Sequence, residues 1–231
     1  MAASQPVSAR TGGRLGSLAY SLIKERLLDG VYPAGERISL ESLRSEFGVS
    51  KQPIMDAMRR LESDGLVEIL PQVGCRVPSY GPVEVADFYA MFGGMEGAIA
   101  GIAAQRWTGQ QLTELRALNA QVTTLAKSKD PAARSHGYRL LNRDFHNAIH
   151  QMSNSRVIAD MSRRMWDLSD MLINTAGVPQ PLASSIKQRA HDHDEICDAL
   201  GERDAAAARD AMERHIIATV DIIRTESLVN T

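Results

Sequence analysis

Pro78, Ser79, Gly81 and Pro82 crowd into five consecutive positions, and a cluster of this kind ends whatever regular pattern precedes it. Before it, apolar residues mark short helices and one hairpin. From Val83 onward they keep helical periodicity and strand signals almost vanish. The spacing therefore predicts a mostly α chain, with a small mixed domain followed by an all-helical one. We place a flexible tail at 1–13, the mixed domain at 14–77, a linker at 78–82 and the helical domain at 83–231.

Over 231 residues, 44% hydrophobic and 23% charged content excludes disordered and collagen-like classes. No apolar run reaches the roughly 18 residues of a membrane helix, so no membrane partner is expected. The first thirteen residues carry one arginine and lack the apolar centre of a secretion signal. Cys75 and Cys197 are too far apart in sequence to suggest a disulfide framework or a cysteine-rich zinc site. A reducing cytoplasm is the expected compartment. The net charge of −2 hides an asymmetry: ten Lys and Arg against nine Asp and Glu through Tyr80, then sixteen against nineteen.

In the mixed domain Leu15, Leu18, Ala19, Leu22, Ile23, Leu27 and Leu28 recur at helical spacing, and Asp29-Gly30 with Pro33 ends that helix. Ser39 is placed to cap a second helix with Leu40, Leu43 and Phe47 inward, stopped by Gly48. Ser50 caps a third, with Pro53 in its first turn and Ile54, Ala57, Met58 and Leu61 as its buried stripe. Residues 66–70 and 75–77 then form a hairpin around Gly74. Two helices joined by a tight turn, the second beginning with polar residues, form a helix-turn-helix, whose second helix enters the major groove of double-stranded DNA. On this reading 51–60 is the recognition helix. Ser50, Lys51 and Gln52 face phosphates or base edges, Arg59 and Arg60 lie farther along, and Gln72 and Arg76 reach the backbone or minor groove. The plain alternative is a small helical domain with solvated polar residues.

The stretch GERISLESLRSEFGVSKQPIMDAMRRLESDGLVEILPQVGCRV resembles the winged-helix domain of the GntR family of bacterial transcription regulators over nearly its whole length. The resemblance implies DNA contacts from Ser39, Ser50, Lys51, Gln52, Met55 and Arg59, and from Gln72, Gly74 and Arg76 in the wing. Lys51 and Met55 stand where the family commonly has arginines. A lysine keeps charge without the bidentate fork and methionine keeps neither, so the implied operator departs from the commonest family sites.

The helical domain reads as six helices: 83–107, 108–127, 131–152, 154–174, 182–200 and 203–228, with Thr108 and Asn154 as caps and Gly201 as a hinge. Loop lengths make it an antiparallel bundle. The first of these helices carries a small-residue flank of Gly93, Gly94, Gly97 and Ala98, suited to close approach by another helix. Five of the six histidines are expected to face inward. Imidazole at this density suggests a metal. Asn142, His146 and His150 share one helical face, but spacing alone does not choose among His136, His146, His150, His191, His193 and His215, and a hydrogen-bonded or exposed histidine is the ordinary alternative for each.

The segments NRDFHNAIHQMSN, HDEICDALGERDAAAARDAMERHI and FYAMFGGMEGAIAGIAA are similar to the FCD effector domain of the FadR subfamily. The similarity implies a divalent metal held by Asn142, His146, His193 and His215, with zinc first and nickel or manganese as alternatives, and a small carboxylate effector bound at it. His150 and His191 fall outside the pattern. Phe92 occupies the place of a family arginine, leaving Arg143 and Arg164 as substitute effector contacts. The implied protein is a regulator, most often a repressor, acting as a homodimer on a pseudopalindromic operator. Two alternatives accompany it: the same regulator with a structural metal or none, and, remotely, a metal-dependent hydrolase with Asp144 or Glu96 as base. The hydrolase lacks an evident nucleophile or oxyanion pocket, so no enzymatic activity is expected.

Overall fold

A computed structural model describes residues 7–229. The chain forms two compact units: one runs through Tyr80 and includes Asp170–Gly177, the other comprises Gly81–Ser169 and the chain from Val178 onward. A single linear cut at 78–82 does not express the assignment of 170–177 to the first unit.

The first unit contains α1 (Val7–Leu28), β1 (Arg37–Ile38), α2 (Leu40–Phe47), α3 (Lys51–Ser63), β2 (Glu68–Leu70) and β3 (Gly74–Arg76). Helix α1 starts at Val7, inside the stretch expected as a tail; residues 1–6 lie outside the described residues. Its inward stripe is Ala19, Ile23 and Leu27, all buried, packed on α3. Leu18 and Leu22, expected inward, are exposed. They lie one position ahead of Ala19 and Ile23, about 100° round the helix, and only one of the two candidate stripes faces α3. Ser39 caps α2 by accepting from Ser42 N–H at 3.1 Å. Gly48 ends it in the left-handed conformation (φ 62°), donating its N–H to Arg44, a position where glycine avoids the Cβ penalty. The strands form one antiparallel sheet in the order β1-β3-β2. The added edge strand β1 pairs Arg37 with Arg76 and Ile38 with Cys75, closing the small core.

The second unit is α4 (Pro82–Arg106), α5 (Gln111–Leu125), α6 (Pro131–Met152), α7 (Arg156–Asn174, as far as Ser169 in this unit), α8 (Ile186–Gly201) and α9 (Ala205–Val229). The six expected helices form, with shifted starts. Gln110 rather than Thr108 precedes α5, because Thr108 N–H is bound by the Gln111 side chain instead. Asn154 takes a positive φ of 50° in the turn before α7, so it closes α6 rather than capping its successor. α4 and α9 make the most extensive helix pair. A Cβ on Gly97 would sit 2.9 Å from the Arg209 carbonyl, and one on Gly101 3.0 Å from the Ala205 carbonyl. Gly94, expected to share this flank, has nothing within 4 Å. The contact line follows 93, 97 and 101, the i, i+4 ridge of α4. No helix among the described residues is long and apolar enough to cross a membrane.

Candidate functional site

The first unit presents an exposed polar surface. On α3, Lys51, Gln52, Asp56, Arg59 and Arg60 are exposed and Met55 is half-buried, while Pro53, Ile54, Ala57, Met58 and Leu61 are buried. Ser50 stands at the N-cap without capping its own helix. Asp56 organises this face: Gln52 Nε2 donates to it at 2.8 Å and Arg59 Nη1 at 3.1 Å. Arg60 is turned away, its guanidinium 4.0 Å from the Tyr20 ring centroid. At the wing tip Gln72 has a φ of 62° and Gly74 one of 119°, an irregular turn that glycine tolerates. Arg76 donates to Glu68 at 2.6 Å across the hairpin. Sequence reasoning missed Arg37. The β1–β3 register sets it beside Arg76, so two exposed guanidinium groups occupy neighbouring strands. A two-residue edge strand leaves almost no sequence signal.

The second unit places its polar chemistry inside. His146 from α6, His193 from α8 and His215 from α9 are all buried and bring ring nitrogens within 4.8 Å of one another. Burial first, then mutual repulsion and the Arg189 charge, holds His146 and His215 well below the usual histidine range. Burial, with Arg189, pushes His193 down to about 3. All three rings are therefore neutral at pH 7, the form that ligates metals.

The hydrogen-bond network fixes the tautomers. Asn119 Nδ2 donates to the Ala190 carbonyl and to Asp194, so its Oδ1 accepts from His193 Nδ1 at 3.2 Å. The lone pair of His193 then sits on Nε2, 3.1 Å from Asn142 Oδ1. That oxygen already accepts from Tyr138 OH at 2.9 Å, and Tyr138 OH in turn accepts from Arg189 Nε at 3.2 Å. Two electron pairs thus face one another. Both ring nitrogens of His146 are buried without a hydrogen-bond partner among the described residues. Three neutral imidazoles, one of them with both nitrogens unpartnered among the described residues, and an amide oxygen opposed to a lone pair fit a divalent cation.

Beside this cluster lies a second buried group built on Glu96, which the sequence offered only as a nominal base of the remote hydrolase reading. Glu96 of α4 accepts from His150 Nε2 at 2.9–3.0 Å and from Ser162 Oγ at 2.6 Å. His146 Nδ1 is 3.8 Å from the same carboxylate. Glu96 thereby ties α4 to α6 and α7 one turn from His146. Four histidines are buried rather than the expected five; His136 and His191 are exposed. His191 is two positions from His193 and so points off the buried face.

Of the substitute anion contacts, one is already paired and the other is exposed. Arg143 pairs with Asp167 at 3.0 Å and lies over Trp166, and Arg164 is exposed. Phe92 is fully buried, stacked on Phe88 and edge-on to Trp166. The guanidinium that does reach the histidines is Arg189, 2% exposed, donating to His215 Nε2 at 2.9 Å. It lies one turn before His193, a spacing that could have drawn attention to it.

A winged helix joined to a helical domain with a buried donor cluster defines a DNA-binding transcription regulator with an effector domain. Residues 15–77 match the bacterial regulatory proteins of the gntR family and residues 87–218 match the FCD domain. The chain belongs to the GntR family, with an FCD domain. It is 26% identical to the Uxu operon regulator of Haemophilus influenzae over 90% of this chain and 79% of that one. It is 24% identical to the transcriptional repressor GlaR of Escherichia coli over 89% and 94%. The fold is similar to that of McbR/YncC from E. coli, with a TM-score of 0.76 over 92% of this chain and 98% of that one at 19% identity. These families and relatives are transcriptional regulators, not enzymes.

Proposed function

We propose that the chain is a repressor of the FadR subfamily whose FCD domain holds a divalent metal through Asn142, His146, His193 and His215 and senses a small organic acid there. The observation that carries this reading is the convergence of three buried neutral histidines, with His146 lacking a hydrogen-bond partner among the described residues. Zinc suits three nitrogens and one oxygen; nickel and manganese are the alternatives. When bound, the ion supplies a Lewis-acid position for a carboxylate. The residues of the chain orient the ligands: Asn119 fixes the tautomer of His193, Tyr138 directs the oxygen of Asn142, and Glu96 holds α6 in register through His150. A neutral Asn142 keeps negative charge out of the ligand set and lowers the repulsion felt by an incoming acid.

The protein acts in the cytoplasm as a homodimer on a pseudopalindromic operator, with Lys51, Gln52, Met55 and Arg59 over the major groove and Gln72 and Arg76 at its flank. Met55 offers an apolar contact to a thymine methyl where a guanidinium would read guanine. Repression is supported by the relative named as a repressor. The effector must favour one of two arrangements of the dimer, and the coupling to DNA is reciprocal.

Elemental analysis of chelator-free protein, followed by anisotropy with operator DNA and a panel of organic acids, tests the reading. About one metal per chain, and an acid response lost in His193→Ala with DNA binding kept, is the expected result. Metal-free protein with identical responses in both forms would reject metal sensing.

A further inference from the structure

Arg189 is the most heavily engaged buried cation among the described residues. Its Nη2 donates to His215 Nε2 at 2.9 Å, to the His215 carbonyl at 2.8 Å and to Thr219 Oγ1 at 3.3 Å. Nε donates to Tyr138 and Nη1 to Asp192 at 3.3 Å. A guanidinium has donors and no acceptor, so His215 Nε2 must carry a lone pair here. The Nδ1 proton of His215 is directed at Asp192 Oδ2, 3.3 Å away. Nε2 is therefore the one donor atom His215 can offer, and its single in-plane lone pair is already spent on Arg189. A nitrogen lone pair cannot accept a hydrogen bond and bind a metal at once.

We propose that Arg189 is a tethered cation holding the ligating lone pair of His215, so that a divalent ion joins the three histidines only by displacing the guanidinium from Nε2. This rests on the metal-site reading above. Displacement leaves Nη2 with the His215 carbonyl and the longer contact to Thr219 Oγ1, and sets the guanidinium charge beside the incoming dication in a site whose other ligand, Asn142, brings no charge. An anion that arrives with the metal offers the guanidinium a charge-assisted partner and offsets the crowding of two cations. Metal and carboxylate binding are thereby coupled through one arginine, supplied by α8 while Phe92 fills the position on α4.

The test uses full-length protein and cobalt(II) as the metal probe, read by visible absorption and by competition with a chelating dye, with and without acetate. Arg189→Met is expected to bind cobalt about tenfold or more tightly than wild type, on the scale of outer-shell effects on metal affinity. Acetate is expected to tighten cobalt binding in wild type and to lose that effect in Arg189→Met. Arg189→Lys, which keeps the charge without the fork, is expected to fall between the two. Cobalt bound by wild type and lost in His193→Ala, with no gain in Arg189→Met, overturns the proposal and leaves the metal site standing. Absence of cobalt from every form, Arg189→Met included, overturns both. If Arg189→Met does not fold, nitrogen-15 NMR of wild type decides: zinc addition must shift His215 Nε2 and abolish protection of the Arg189 guanidinium protons, and an unchanged arginine signal overturns the proposal.

Discussion

The winged helix and the helical domain use polar residues in opposite ways. On α3 and the wing, Lys51, Gln52, Arg59 and Arg76 are exposed, and the last three are tethered by neighbouring acids on the same surface. In the helical domain Glu96, His150, His193, Arg189 and His215 are buried and partnered across helices, and His146 is buried among them. Exposed pairs of the first kind contribute little to stability, whereas breaking a buried ionic network leaves an uncompensated group and costs several kcal/mol. Function and stability are therefore separable in one unit and entangled in the other.

The contrast is most exposed at Glu96. Glu96→Ala removes the acceptor of both His150 and Ser162 and should destabilise by about 3–5 kcal/mol, read as a fall in the urea midpoint of the helical domain. Glu96→Gln, which keeps the shape and one acceptor, should cost less. An Ala variant as stable as wild type would show that this buried network is not what holds α4 to α6 and α7. Next in size is Gly97→Ala. Its Cβ would meet a backbone carbonyl of α9 at 2.9 Å, so the helices must part, at a cost of about 1–3 kcal/mol. Gly94→Ala, facing open space in the same helix, should instead be neutral or stabilising by up to about 1 kcal/mol.

Those two glycines also show what the sequence could and could not convey. A small-residue flank on α4 was legible because close helix approach demands it, yet the contact ridge runs through Gly101 and leaves Gly94 outside. Periodicity identifies a face but not the crossing angle of its partner. The same limit placed Leu18 and Leu22 inside when they are exposed. His146, His193 and His215 were legible from a resemblance at the level of motif, and they do converge. Arg189 and Ser162 were not, and Glu96 was named only as a nominal base, because a buried polar group is recognisable only when its partners are known, and those partners lie 26 to 66 positions away. Arg37 was lost for the converse reason: the two-residue strand that carries it acquires meaning only through pairing with β3.

Acidity distinguishes the units by a third route. Folded His193 protonates near 3 and His146 and His215 are also shifted downward, whereas the unfolded chain takes up protons at about 6.5. Below that value the unfolded state binds protons the folded state refuses, so the stability these groups leave intact above about pH 6.5 is lost progressively as pH falls, for His193 down to about 3. The slope is about 1.4 kcal/mol per pH unit for each histidine fully within that window. Urea unfolding of chelator-treated protein at pH 7 and pH 5 should show the loss in the helical domain, reduced in His193→Gln. An equal slope in that variant would assign the acid sensitivity to other groups.

The smallest effect on stability and the clearest on function belongs to α3. Lys51→Ala removes one exposed cation and should leave stability within about 0.5 kcal/mol of wild type, while weakening operator binding and reducing the steepness of its salt dependence by about one ion. Asp56→Ala should act in the other direction. It releases Gln52 and Arg59 from the acid that now holds both and removes a negative charge from the face proposed to meet DNA. DNA affinity at low salt should rise, the salt dependence should steepen, and discrimination between operator and random DNA should fall, because the freed guanidinium is attracted to any backbone. Anisotropy at several salt concentrations with both DNAs measures all three. If Asp56→Ala instead weakens operator binding, the carboxylate is needed to orient Gln52 and Arg59 for base contact. The recognition helix would then resemble the buried site after all, with function resting on a partnered network rather than on free charge.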